Sequence, residues 1–327
     1  MITNQSDVSL ALAVWLLFDE YDYQSMKNYI SATSLLKPIR QIILPSRVNS
    51  QDRQIDVTDF IARSLGHSIH DSIERAWVKG YERSLKLLGY PDNVISRVRV
   101  NPTDEERKAD PNIIPVFLEQ RAFREFMGFT IGGKFDLVTE GIVQDAKSTS
   151  AFTWVYDGKD DDYRLQMSLY RWIDAVQPMP RISEDYGRVN FIFTDWQKSS
   201  ARTNPKYPQQ RVAHKDIPLL TLKETEQWVR HKLTQVMDYK QSPESEIPEC
   251  TDSELWRSDP AYKYYADPAK TSGRSTKNFD NIADARTFQS EKNGKGIIIT
   301  VPGEAKRCAY CDAAPVCSQF RRLFPEG

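Results

Sequence analysis

The chain predicts an α/β protein in which a mixed central sheet is flanked by helices and followed by a small α+β lobe. Three observations carry this prediction. Residues Gly133–Lys147, reading GKFDLVTEGIVQDAK, place short apolar runs on either side of Glu140-Gly141, the pattern of a β-hairpin, and VNFIFTDW at Val189–Trp196 is apolar enough for a buried strand. Two stretches of helical periodicity, 56–88 and 163–176, supply layers to cover such a sheet. Past Gln241 the composition changes: Pro243 and Pro248 mark a linker, and three strand-like runs with one helix follow. The expected divisions are an N-terminal helical segment (1–55), a core (56–245) and a C-terminal lobe (246–327).

The 327 residues are 40% hydrophobic and 27% charged, with a formal net charge of −1, an ordinary balance for a soluble globular protein with room for a sizeable core. The longest apolar run, Leu10–Phe18, is too short for a membrane span and lacks basic flanks. No secretory leader is recognisable, so a cytoplasmic setting without membrane contact is expected. No basic field surrounds the whole chain, so attraction for a nucleic acid has to come from a local patch plus bound metal.

Taken in order, residues 7–20 read as a helix, with Val8, Leu12, Trp15 and Leu16 at helical spacing. Ser31–Arg47 (SATSLLKPIRQIILPSR) is punctuated by Pro38 and Pro45 and holds a short helix; its Lys37, Arg40 and Arg47 line either a phosphate-contacting surface or a solvated face. Within 56–88, Leu65, Ile69, Ile73 and Trp77 repeat every four residues as a buried stripe, and His70 shares a face with Glu74. A helical histidine such as His70 or His67 is either a metal ligand or a structural residue. Residues 94–101 alternate like a strand, 102–111 form a polar loop, and Phe117–Met127 reads as a helix with Glu119 near its start. A charged loop, Asp157–Asp162, caps the helix Tyr163–Val176, which carries Gln166 and Tyr170 one turn apart and Leu165, Leu169 and Trp172 on its core side. Thr221-x-x-Glu224 is a capping box opening a helix to about Tyr239. The lobe holds strands at Ala261–Tyr265, Ser275–Asp280 and Gly296–Val301 and a helix at 283–291.

Chemistry concentrates in the hairpin. A two-residue turn at Glu140-Gly141 pairs 139 with 142 and brings Asp136 opposite Asp145. Like charges facing each other on a sheet repel unless a cation separates them. Lys147, two residues beyond Asp145, projects from the same face. Two facing carboxylates with a lysine beside them are the parts of a divalent-metal phosphodiesterase site; the alternative is a solvated hairpin with a local salt bridge.

Gly66-x-x-x-His70, Gly133-x-x-Asp136, Asp145-x-Lys147 and Gln166-x-x-x-Tyr170 occur in this order. Together they resemble the RecB-like branch of the PD-(D/E)XK nuclease superfamily. The run Cys308-x-x-Cys311 followed by Cys317 resembles the cysteine cluster of the iron–sulfur nucleases of the AddB type and of the CRISPR-adaptation nucleases. The length, the SATSLLKPIRQ segment and the accessory lobe look like exonuclease-type proteins of tailed bacteriophages. The resemblance covers roughly residues 31–320. It implies a restriction-endonuclease-like core and a divalent-metal-dependent DNA nuclease, an exonuclease of phage replication or recombination acting in the host cytoplasm beside a single-strand-annealing or replication protein. Position by position it implies that His70, Asp136, Asp145 and the Ala146 carbonyl hold Mg²⁺ or Mn²⁺. Lys147 orients or activates the attacking water, and Gln166 and Tyr170 position the DNA backbone. Glu119 matches an acidic position that assists a second ion. The competing readings are an endonuclease, a catalytically silent DNA-binding or assembly module on the same fold, and a metal-stabilised interaction protein whose hairpin carboxylates are incidental.

Three cysteines within ten residues of a cytoplasmic chain favour a metal over a disulfide, and Cys250 is the only available fourth ligand to Cys308, Cys311 and Cys317. All-thiolate ligation suits an iron–sulfur cluster or zinc. The resemblance implies a 4Fe–4S cluster, with structural Zn²⁺ as the alternative. In the family the first cysteine lies near the amino terminus, whereas Cys250 follows the core. The metal is therefore expected to clip the 251–307 lobe closed and pin it to the core.

Overall fold

The computed structural model describes residues 2–49, 55–156 and 159–325. The chain divides into two compact units, Met1–Lys37 with Arg53–Met237, and Pro38–Asp52 with Asp238–Gly327. The N-terminal segment is thus shared out between them: residues 38–52 belong with the C-terminal lobe.

The first unit contains, in chain order, β1 (Ile2–Thr3), β2 (Tyr29–Ser31), β3 (Ile55–Asp56), β4 (Val98–Val100), β5 (Ile114–Phe126), β6 (Phe129–Thr139), β7 (Ile142–Thr149), β8 (Tyr186–Phe193) and β9 (Val212–Pro218). β1 and β3 form a separate parallel pair. The main sheet runs β4-β5-β6-β7-β8-β9, with β2 added in parallel to β6. Its neighbours are parallel at β4/β5 and β7/β8 and antiparallel at β5/β6, β6/β7 and β8/β9, so the sheet is mixed.

Two hairpin turns fix the centre of this sheet. Met127 and Gly128 join β5 to β6, and Glu140 and Gly141 join β6 to β7. All four residues have positive φ, 51°, 77°, 54° and 76°, which a two-residue turn requires if it is to follow the right-handed twist of its strands. The second hairpin takes the register its turn predicts, with Thr139, Val138 and Leu137 opposite Ile142, Val143 and Gln144. There the ladder stops and the strands fork. β7 turns to β8, pairing Asp145 with Val189, while the far end of β6 pairs with β2 through Thr130–Gly132. Asp136 and Asp145 are the first residues beyond the fork.

The helix Ile61–Leu87 packs against β7 and, through Trp77, Tyr81 and Leu85, on Val98, Val116 and Leu118. The helix Asp160–Asp174 lies against β5 through β9, burying Met167, Leu169, Trp172 and Ile173. Gly133 and Gly187 make that approach possible. A Cβ on Gly133 would lie 2.9 Å from the Tyr170 ring, and one on Gly187 2.5 Å from Met167 Sδ. The first unit is thus mixed α/β, a curled mixed sheet flanked by helices. No helix of the described residues is long and apolar enough to cross a membrane.

Several local expectations change. Phe117–Met127 is not a helix but most of strand β5. Val116, Phe117 and Leu118 are all buried, so this central strand lacks the alternation that marks a half-buried one, and its apolar residues at 118, 122 and 126 mimic helical spacing. The loop at 102–111 contains a helix, Asp104–Ala109, started by a reciprocal box between Thr103 and Glu106. In the long helix Ser64 is the buried position while Leu65 is 47% exposed, which shifts the predicted stripe. Of the charged loop Asp157–Asp162, Asp160–Asp162 form the first turn of the following helix, where acids suit the helix dipole; Asp157 and Gly158 lie outside the described residues. The box at Thr221 and Glu224 forms as read, with the Thr221 N–H donating to Glu224 and the Glu224 N–H to Thr221 Oγ1.

The second unit holds β10 (Ala261–Tyr265), β11 (Lys277–Phe279) and β12 (Ile297–Val301), an antiparallel sheet in the order β11-β10-β12. The helix Ile282–Glu291 packs on it, its N-terminus capped by the Asn281 side chain. Cys308 lies in the 3₁₀ turn Lys306–Tyr310, Cys311 directly follows it, and Cys317 follows the turn Ala314–Val316.

Candidate active site

The fork brings together most of the residues that the motifs single out. Asp136 leaves β6 and His70 rises from the Ile61–Leu87 helix, with His70 Nδ1 3.3 Å from Asp136 Oδ2 and 3.8 Å from Glu119 Oε1. One ligand atom from each of these three residues lies within 4.8 Å of the others, close enough for one cation. The other ring nitrogen, Nε2, is 3.1 Å from the Ala146 carbonyl oxygen, so that carbonyl also turns toward the site. On β7, Lys147 Nζ lies 2.9 and 2.8 Å from the two carboxylate oxygens of Asp145. Gln166 Nε2 reaches Asp145 Oδ1 at 3.5 Å and donates to the Tyr170 hydroxyl at 3.1 Å, so the one-turn spacing of that pair makes a single hydrogen-bonded unit over Asp145.

Electrostatics separates the two aspartates. Burial pushes the Asp136 carboxyl up, but the His70 ring and the nearby Lys147 charge outweigh it and hold the group below the usual carboxylate range. For Asp145 burial wins: aided by the Asp136 charge and only partly opposed by Lys147, it is pushed up to about 6. His70 is pushed up to about 10, by the adjacent Asp136 carboxylate first and by Glu119 next, against burial. Burial alone would lower Lys147, but Asp145 keeps it above its ordinary value. Burial, followed by the two aspartate charges, raises the Tyr170 hydroxyl, which therefore stays a neutral donor. Two carboxylate oxygens remain short of partners. Asp136 Oδ2 and Asp145 Oδ2 are buried and neither accepts a well-directed hydrogen bond, although His70 and Lys147 stand near them. Buried oxygens left this way carry a free-energy cost that a cation removes.

Glu119 sits in β5 with φ of +52°. Leu118 and Gln120 on either side pair regularly with Leu137 and Phe135, so the left-handed residue interrupts an otherwise continuous ladder. Such a conformation is strained for a residue with a Cβ and tends to persist where function holds it. Lys134 also belongs to the site: its Nζ is 2.6 Å from Glu119 Oε2. It belongs to none of the motifs, yet it lies two residues before Asp136 on the same strand and so on the same face.

In the second unit all four cysteines carry free thiols. Cys250, Cys308, Cys311 and Cys317 line one cavity together with Arg40 and Gln319. Burial pushes the Cys250 thiol up to about 12 and raises Cys308 as well. No three of the thiols come within 4.8 Å of one another among the described residues. Arg40 and Arg47, read as possible phosphate contacts, serve this lobe instead: Arg40 is 3% exposed, and Arg47 donates to the Tyr239 and Lys240 carbonyls.

No family model matches the chain, and no curated protein does. Among solved structures, the crystal structure of SSO0001 aligns over 69% of this chain and 84% of its own, at 14% identity and a TM-score of 0.39.

Proposed function

We propose that the protein is a divalent-metal-dependent DNA nuclease of the PD-(D/E)XK type, built on a restriction-endonuclease-like core, and that it acts as an exonuclease. The observation that carries this reading is the fork between β6 and β7. It sets two under-bonded carboxylates, each with a buried oxygen, against a lysine, with a histidine and a glutamate closing the other side. A surface hairpin with an incidental salt bridge has no reason to bury Asp145 to 4% exposure.

Asp136, Asp145, His70 and Glu119, with the Ala146 carbonyl, are the donors that would hold Mg²⁺ or Mn²⁺. Oxygen-rich sets suit these ions, and the orphaned carboxylate oxygens fit a cation. When bound, the ion supplies Lewis-acid polarisation of the phosphate and eases deprotonation of the attacking water. The chain's own groups do the rest. Lys147 places a fixed positive charge beside the phosphate oxygens, where negative charge grows as the bond breaks. Gln166 reaches Asp145 and donates to the Tyr170 hydroxyl, which leaves the Tyr170 proton as the neutral donor the pair offers to orient the DNA backbone. Asp136 and Asp145 act as ionised ligands, not as general bases.

In the second unit we assign the cysteine cavity to a structural metal centre, a 4Fe–4S cluster with zinc as the alternative. Four thiols facing one cavity without a disulfide fit a thiolate-ligated group.

The test is cleavage of end-labelled linear DNA and covalently closed circles with Mg²⁺, Mn²⁺ or chelator, with Asp145→Ala run in parallel. Metal-dependent loss of linear DNA alone, absent in the variant, is the expected result. Cutting of circles makes the enzyme an endonuclease at the same site. DNA binding without any cutting overturns the enzymatic reading.

A further inference from the structure

Arg40 has no part in the chemistry described above, yet it is one of the few buried charges among the described residues. It stands in the short helix Ile39–Ile43 of the second unit. Its Nε donates to the Pro248 carbonyl at 3.0 Å and its Nη2 to the Ile247 carbonyl at 2.8 Å. Its Nη1 pairs with the Glu244 carboxylate and lies 3.5 Å from Cys317 Sγ. Glu244 in turn accepts from the Ser318 N–H and hydroxyl, at 3.2 and 2.9 Å, on the residue that follows Cys317. Gln319, 5% exposed, makes a second brace. It accepts from the Cys250 N–H and donates to the Cys250 carbonyl, both at 2.8 Å. The two braces bring Cys250 and Cys317, 67 residues apart in sequence, to the wall of one cavity.

Stability alone does not account for the sulfur contact. A thiol is a weak acceptor, and Arg40 already has a carboxylate and carbonyl partners. The contact becomes strong if Cys317 is a thiolate, because a charge-assisted bond to an ionised acceptor is roughly twice as strong as a neutral one. A centre held by four thiolates carries net negative charge, which a buried guanidinium beside the cavity offsets.

We propose that Arg40 is the positioning residue of the cysteine-bound centre, donating to the Cys317 thiolate and thereby setting how tightly the centre is retained. The proposal rests on the reading that the cysteines hold a metal, and it applies to a cluster and to zinc alike. Groups that hydrogen-bond to metal ligands are worth about 10- to 100-fold in affinity.

The experiment uses full-length protein purified without oxygen. Iron, sulfide and zinc per chain are counted, and release of metal to excess chelator is timed beside the melting temperature for wild type, Arg40→Gln, Arg40→Lys and Glu244→Gln. Arg40→Gln should release metal about 10- to 100-fold faster than wild type, with Arg40→Lys between them. Glu244→Gln removes the structural ion pair but leaves Nη1 facing Cys317, and its amide oxygen can still accept from Ser318, so the brace on Cys317 stays. It should melt earlier yet release metal at close to the wild-type rate. Release that follows melting temperature across all variants gives Arg40 a merely structural role and overturns the proposal, as does unchanged release in Arg40→Gln. If Arg40→Gln does not fold, the order of the other two decides: Arg40→Lys faster than Glu244→Gln supports the proposal, and the reverse overturns it. A wild type that carries no metal overturns the cysteine-centre reading and the proposal with it. That result is distinct from a centre that wild type and Arg40 variants hold equally well.

Discussion

In the fork of the first unit the candidate ligands stand against charged neighbours, whereas in the cavity of the second unit burial pushes two of them, the Cys250 and Cys308 thiols, toward their neutral forms. His70 and Lys147 balance Asp136 and Asp145 in the absence of a cation, so the fork is a set of ligands with stand-in protons and ammonium groups already in place. Cys250 and Cys308 have no such stand-in, and their thiols are pushed upward. The first arrangement suits an ion that exchanges with solvent and substrate. The second suits a group inserted once and then retained, because binding must expel thiol protons.

The widest contrast to test is therefore loss of one site at a time. Asp145→Ala should abolish divalent-dependent cleavage and leave the metal content of the second unit unchanged. Cys308→Ser should do the opposite, lowering iron or zinc content and melting temperature while residual cleavage keeps its Mg²⁺ dependence. Cleavage assays and metal analysis on the same samples check both, and loss of cleavage in a folded Cys308→Ser protein would break the separation. Next in size, Lys147→Ala should reduce turnover by about 10²- to 10³-fold with DNA affinity nearly unchanged, as expected when a fixed charge acts mainly on the transition state. Single-turnover rates and a binding isotherm measure the two quantities, and normal turnover would remove Lys147 from the mechanism.

The two sites were not equally legible in the sequence. The hairpin register followed from one turn, because Glu140-Gly141 admits a single two-residue pairing and Asp136, Asp145 and Lys147 then take their places by the two-residue period. His70 and the Gln166–Tyr170 pair were legible as motifs, but only the resemblance put them in one site: nothing local shows that two helices bring them to one fork. Glu119 was found in the wrong element. A strand buried on both faces has no alternation to read, and a left-handed residue within it has no sequence signature. In the second unit the cysteines were visible by spacing. Arg40 has no local sign of burial, because its partners lie more than 200 residues away (204 for Glu244 and 277 for Cys317).

The stand-in protons give the metal-free fork a pH dependence of known sign. His70 rises to about 10 in the folded chain from an ordinary 6.5. Its contribution is complete below the unfolded value and is lost as pH climbs from 6.5 through about 10. Asp145, raised to about 6 from 3.8, also favours the fold at low pH, and its ionisation costs stability as pH rises through that window. In chelator, melting temperature should therefore fall between pH 6.5 and 10 in wild type and fall less in His70→Gln. Asp145→Asn should melt higher than wild type above pH 6, despite losing activity. Parallel wild-type and His70→Gln curves would show that the imidazolium does not bridge Asp136 and Glu119 in solution.

The smallest effect sharpens the contrast most, because it asks whether the fork is strained as well as charged. Glu119 holds φ of +52° inside β5, while its carboxylate meets Lys134 and approaches His70. Glu119→Ala and Glu119→Gly remove the same carboxylate contacts, so their difference isolates the backbone. Glycine enters the left-handed region without the Cβ penalty, while alanine retains it. Glu119→Gly should therefore be more stable than Glu119→Ala by about 1 kcal/mol, opposite to the order in a regular strand. Urea midpoints at unchanged slope give that number. If alanine is as stable as glycine or more so, β5 runs through Glu119 as an ordinary strand. Its side chain then alternates away from Asp136, and the donor set of the fork shrinks to His70, Asp136 and Asp145.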